Sequence, residues 1–187
     1  MKTIIVVGIP GAGKTSVLQE VSRHVPSLSF VNYGAKMLDE LPAGSIARDA
    51  LRKMPLQEQQ QLGIKAAKKI AEQADGRLTI IDTHALIRTD VGFCPGIPWE
   101  VLQILKPRAF VWVESSADTI LQRRMKDLSR DRDAEAEEEL ALHQELTRSF
   151  LAACSMFTGA TLCRISNDSP SLERNVQPFL RLIQTFS

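Results

Sequence analysis

The segment Gly8-Ile9-Pro10-Gly11-Ala12-Gly13-Lys14-Thr15 fits the pattern G-x-x-x-x-G-K-[ST] in full. An apolar run, Thr3–Val7, leads into it, and helical spacing begins at about Lys14, which is the context a phosphate-binding loop requires. Glycines let successive backbone N–H groups converge on phosphate oxygens without a Cβ in the way. The helix N-terminus adds partial positive charge. In such a loop Lys14 reaches the β- and γ-phosphates of a nucleoside triphosphate, and the Thr15 hydroxyl ligates Mg²⁺. A second run, Leu78-Thr79-Ile80-Ile81-Asp82, ends in a carboxylate. In P-loop proteins an aspartate at this place holds the metal, often through water.

Residues 122–133 read QRRMKDLSRDRD, with five cations and three aspartates. A run of mixed sign is ordinarily a solvated helix face. Beside a triphosphate site it gains a second reading, a clamp for phosphate oxygens. Further arginines stand at Arg48 and Arg52, with Asp49 and Lys53 among them, and at Arg88. Each guanidinium can bind phosphate bidentately. Phosphoryl transfer passes through a loose transition state with its charge spread over oxygens, so it is catalysed mainly by positioning and charge neutralisation. A phosphate acceptor, with a second pKa of about 6, is largely ionised at neutral pH and needs no general base. The signatures of a GTPase are missing: DTHA (82–85) stands where D-x-x-G is required, and nothing resembles N-K-x-D. His84 reads as a hydrogen-bonded structural residue. The acidic run 135–139 reads as a solvated helix start.

These groups need a scaffold, and the rest of the chain supplies one. Short β-branched runs at Thr3–Val7, Leu28–Asn32, Leu78–Asp82, Ala109–Glu114 and Ala160–Ile165 suit strands covered on both faces. Helical patterns alternate with them. Val17, Leu18 and Val21 share a face, as do Ile64, Ala67, Ile70 and Ala71. Ser115 and Asp118 signal a helix start. A long helix after Asp133 places Leu140, Thr147, Phe150, Leu151, Cys154 and Phe157 on one side, and a last helix runs from about Ser171 to Thr185. The alternation predicts an α/β fold with a mostly parallel sheet. Two segments, about 34–56 and 122–138, read as insertions on its rim.

At 187 residues the chain is one domain. Its 23 lysines and arginines against 22 acidic residues leave a net charge of +1, which argues against a general nucleic-acid or membrane-surface binder. The three cysteines, Cys94, Cys154 and Cys163, lack any metal-ligand spacing and read as reduced thiols of a cytoplasmic protein. No apolar run is long enough to cross a bilayer.

Taken together, GIPGAGKT (8–15), VNYG (31–34), Arg48-Asp49…Arg52-Lys53, IDTHALIRT (81–89), GFCPGIP (92–98), RRMKDLSRDRD (123–133) and His143-Gln144…Arg148 resemble the archaeal-type adenylate kinases, in order and along nearly the whole chain. The resemblance implies a P-loop nucleoside monophosphate kinase fold, with five parallel strands, a monophosphate-binding insertion (about 34–56) and a short lid (about 124–138). It implies ATP + AMP ⇌ 2 ADP with Mg²⁺, and homo-oligomers, often trimers. On this resemblance Gly8, Gly11, Ala12, Gly13, Lys14, Thr15 and Ser16 hold ATP, and the backbone near Asn167 approaches its adenine. Tyr33 and Gly34 border the AMP base, and Arg48 meets the AMP phosphate. Arg88 bridges the two phosphate sites, and Arg124, Arg130 and Arg132 are lid arginines. Thr147 departs from the family's H-Q-x-x-N-R. A kinase for CMP or UMP, and a binding module that uses ATP without transferring its phosphate, are the alternative readings.

Overall fold

Three of the five apolar runs, Lys2–Val7, Leu78–Asp82 and Ala109–Glu114, are covered on both faces, whereas Ser29–Asn32 and Thr161–Ser166, at the sheet edges, stay partly exposed. The structure, a computed structural model, describes residues 2–41, 51, 54–126 and 137–186. Arg48, Arg130 and Arg132 lie outside the described residues, as do Asp49, Arg52 and Lys53. In chain order the elements are β1 (Lys2–Val7), α1 (Lys14–His24), β2 (Ser29–Asn32), α2 (Tyr33–Leu38), α3 (Leu56–Glu72), β3 (Leu78–Asp82), β4 (Leu86–Thr89) and β5 (Gly92–Pro95). They continue with α4 (Trp99–Leu105), β6 (Ala109–Glu114), α5 (Ala117–Lys126), α6 (Glu137–Thr158), β7 (Thr161–Ser166), α7 (Leu172–Asn175) and α8 (Gln177–Gln184).

The main sheet has the order β2-β3-β1-β6-β7, and every pairing in it is parallel. Alternation along each strand divides the core in two. Ile4, Val6, Ile80, Val111 and Val113 face Val17 and Val21 of α1 and Phe179 and Ile183 of α8. Ile5, Val7, Ile81 and Phe110 face Ala66 and Ile70 of α3, Val101 and Leu105 of α4, and Leu151 of α6. From β1 the chain winds toward one edge through β2 and β3, then to the other through β6 and β7. The reversal falls beside β1, and ligands of open α/β sheets bind outside the strand ends at such a point. The glycine-rich loop begins there.

Several sequence expectations shift. The predicted last helix is two, α7 and α8, divided at Val176, with Pro178 in the first turn of α8. Proline lacks the N–H that a continuous helix would need and suits a first turn. On α6 the buried stripe is Leu140, His143, Gln144, Thr147, Leu151 and Cys154, while Phe157 is 66% exposed and meets Trp99 edge-on at 5.9 Å. At 3.6 residues per turn Phe157 falls about 100° from Leu140, off that stripe. On α3 the buried face is Leu62, Gly63, Ala66, Ala67 and Ile70, and Ile64 and Ala71 are only half-buried. The residue capping α5 is Ser116, whose hydroxyl accepts from the Thr119 N–H at 3.2 Å. The antiparallel hairpin β4–β5 and the short helices α2 and α4 were not foreseen.

Candidate active site

The glycine-rich loop is built by fixing its carbonyls. His84 Nδ1 donates to the Gly8 carbonyl at 2.9 Å, a hydrogen bond of the kind expected for His84 from the sequence. Arg124 donates to the Pro10 carbonyl through Nε (3.1 Å) and Nη2 (2.8 Å). The Ala12 carbonyl accepts from Asn167 Nδ2 (2.9 Å), Arg123 Nη1 (3.3 Å) and Ser115 Oγ (3.4 Å). In a trans peptide the N–H of the next residue points opposite to the carbonyl. Drawing the carbonyls of residues 8, 10 and 12 toward the protein therefore aims the N–H groups of Ile9, Gly11 and Gly13 the other way. Gly11 (φ 96°) and Gly13 (φ 85°) take left-handed conformations that side chains disfavour. A Cβ on Gly11 would approach Ile120 to 2.8 Å, and one on Gly13 would overlap Asn167.

At the far end of the loop Lys14 Nζ is ion-paired with Asp82 Oδ1 and donates to the Thr83 carbonyl at 2.8 Å. The other carboxylate oxygen of Asp82 accepts from Asn32 Nδ2 at 2.8 Å. The P-loop lysine and the strand-end aspartate, about seventy residues apart, thus meet at the C-terminal edge of neighbouring strands β1 and β3. Thr15 and Ser16 are exposed on the first turn of α1. Oxygen donors of this kind, a hydroxyl and a carboxylate, suit a hard cation such as Mg²⁺, and Asp82 already faces a cationic group.

The remaining predicted residues fall as follows. Arg88, on β4, forms a two-pronged pair with Glu139 of α6. Asn167 is 4% exposed and wedges the loop. Its backbone carbonyl accepts from Arg123 Nη2 (2.7 Å) and Ser115 Oγ (3.0 Å), and its side-chain carbonyl accepts from Asn175 at 3.1 Å. Arg123, read in the sequence as one of the clamp arginines, braces the loop, Ser115 and Asn167. Tyr33 and Gly34 open α2. The Tyr33 ring is packed among Ile5, Ile81, Thr83, Ile97 and Val101, and burial pushes its hydroxyl pKa far above the usual range. That hydroxyl abuts Gly63, where a Cβ would lie 2.7 Å away. Asn32 was not singled out in the sequence. Its only signal there is its place in VNYG, ending a strand.

A model of the AAA domain family matches residues 7–141. The adenylate kinase of Methanothermobacter thermautotrophicus is 39% identical over 186 residues, 98% of this chain and 100% of that protein. The adenylate kinase of Pyrococcus furiosus is 38% identical over 184 residues, 96% of this chain and 94% of that one. Among solved structures, the shikimate kinase of Acinetobacter baumannii superposes with a TM-score of 0.67 at 16% identity, covering 100% of this chain and 95% of its own, a likeness of fold. With relatives of this identity along nearly its full length, the chain belongs to the adenylate kinase family.

Proposed function

We propose that this protein catalyses ATP + AMP ⇌ 2 ADP. The observation that carries the reading is the meeting of Lys14 and Asp82 beside a loop whose N–H groups point away from its tethered carbonyls, in a chain aligned end to end with adenylate kinases. The bond from the γ-phosphorus to the β–γ bridging oxygen breaks, and a bond to an AMP phosphate oxygen forms. The acceptor oxygen is already ionised, so no proton has to be removed. Mg²⁺, held by Thr15 and Asp82, would neutralise charge on the donor phosphates.

The chain's own groups do the rest. The loop from Gly8 to Ser16 grips the donor phosphates, and Lys14 leaves Asp82 to follow the γ-phosphoryl. Arg88, Arg124, Arg130 and Arg132 surround the transferring group, with Arg48 on the acceptor phosphate. Gly34 and Tyr33 border the acceptor base, with Tyr33 acting from within the core. The backbone near Asn167 borders the adenine of ATP. The segments about 34–56 and 124–138 serve as acceptor site and lid of a single kinase domain. We place the enzyme in the cytoplasm and read it as a homo-oligomer, a trimer being the first arrangement to test by light scattering.

The test is an assay of purified protein with ATP, Mg²⁺ and each monophosphate in turn. ADP should form fastest with AMP. No ADP from AMP would overturn the proposal, and faster turnover of CMP or UMP would reassign the acceptor.

A further inference from the structure

One amide spans the two halves of the site. Asn32 ends β2 and lies opposite Asp82 in the parallel ladder, so the two side chains leave the sheet on the same face. Its Nδ2 donates to Asp82 Oδ2 at 2.8 Å. Its Oδ1 accepts the Ala35 N–H at 2.9 Å and so caps α2, the helix that carries Tyr33 and Gly34. The polarity admits no exchange of the amide's ends: only its NH₂ can serve a carboxylate, and only its carbonyl can serve a backbone N–H.

A carboxylate turns easily about its last bond, whose preference is broad and two-fold. At Asp82 that freedom is removed. Asn32 holds Oδ2, and Oδ1 is presented to the P-loop side, where Lys14 meets it. We propose that Asn32 is a positioning residue, which fixes the plane of the Asp82 carboxylate for Mg²⁺ and ties that plane to the acceptor-side helix. The proposal rests on the reading of Asp82 as the metal carboxylate. Groups that orient metal ligands from behind carry weight of their own, and losing one typically costs 10- to 100-fold in metal affinity or activity.

A cap alone is the plain alternative, and substitutions separate the two. Serine caps helices about as well as asparagine, but its shorter side chain cannot serve both partners. Asn32→Ser should therefore keep the cap and lower the melting temperature of the ligand-free protein less than Asn32→Ala does, the remaining loss being the bond to Asp82. In calorimetry it should shrink the gain in ATP affinity that Mg²⁺ confers by about tenfold, with Mg²⁺-free ATP binding unchanged. In turnover it should lower kcat while leaving the KM for AMP near that of wild type. Asn32→Asp keeps the cap and the shape but turns the donor into a second carboxylate against Asp82, and should lose the Mg²⁺ effect more fully. Asn32→Ala should add a loss of stability to the loss of Mg²⁺ response.

If Asn32→Ser and Asn32→Asp respond to Mg²⁺ as wild type does, Asn32 is a cap only and the inference is wrong. If wild type itself binds ATP without regard to Mg²⁺, the reading of Asp82 falls, and this inference with it. These two failures differ in which protein shows them.

Discussion

Arg88 and Glu139 are joined by two hydrogen bonds, from Nη1 at 3.1 Å and from Nη2 at 2.9 Å, one to each carboxylate oxygen. This is the geometry in which a guanidinium would take a phosphate. On the role proposed for Arg88, Glu139 would compete with the acceptor phosphate for the same fork. Both side chains are well exposed, 39% and 47%, so the pair is a weak one. Glu139→Gln should lower the KM for AMP by about two- to fivefold, the scale of an exposed pair, and added salt should narrow the difference. An unchanged KM would place the acceptor phosphate away from Arg88.

Lys14 stands on Asp82 rather than in solvent, and on the proposed function it would exchange that partner for a triphosphate. Oriented donors of this kind contribute about 3–4 kcal/mol to the transition state. Lys14→Ala should lower kcat by about 10²- to 10³-fold in steady-state assays. A kcat within a factor of two of wild type would remove the P-loop lysine from the mechanism.

Neighbouring arginines should give opposite phenotypes. Arg123 donates to Ala12, Ser115 and Asn167, all protein groups. Charged donors to buried partners contribute about 1.5–3 kcal/mol, so Arg123→Ala should shift denaturant unfolding by about that amount. Arg124 also holds a loop carbonyl, that of Pro10, but on its proposed role beside the transferring phosphoryl group Arg124→Ala should lower kcat more than it lowers stability. Titration with urea, run beside the assay, gives the ranking, and a reversed order would exchange their roles.

Burial raises the pKa of the Cys154 thiol to about 11 and also pushes up that of Cys94. A raised pKa keeps the thiol protonated, and the thiolate is the reactive form. At pH 8 Cys154 is thus about one part in a thousand thiolate, against roughly a quarter in an unfolded chain. Iodoacetamide at that pH should label both residues readily only after denaturation, as mass spectrometry would show. Rapid labelling of Cys154 in the folded protein would contradict the packing of α6.

What could be read from the sequence was local. The P-loop and Asp82 announce themselves by residue type and short spacing, and the five strands by β-branched runs. Arg123 and Arg124 are indistinguishable as letters. They diverge because one residue is about 100° of helix, which turns one toward Asn167 and the other toward Pro10. Asn32 was invisible because its role comes from a ladder register joining positions fifty residues apart. The β4–β5 hairpin was missed for a related reason. Its strands, Leu86–Thr89 and Gly92–Pro95, have four residues each, too few for alternation to stand out from a loop. Phe157 misled because it is large and apolar, yet a helix's phase, not hydrophobicity alone, decides what reaches the core.

The three tethered carbonyls at Gly8, Pro10 and Ala12 bear on how fast and how tightly a nucleotide is caught. A floppy loop would have to be ordered by its ligand, and each residue so ordered would subtract from affinity. Here side chains from after β3, from α5 and from after β7 grip the loop carbonyls from behind, which reduces the ordering left to the ligand. On the proposed function, triphosphate capture should then depend more on diffusion and charge than on ordering of the loop backbone.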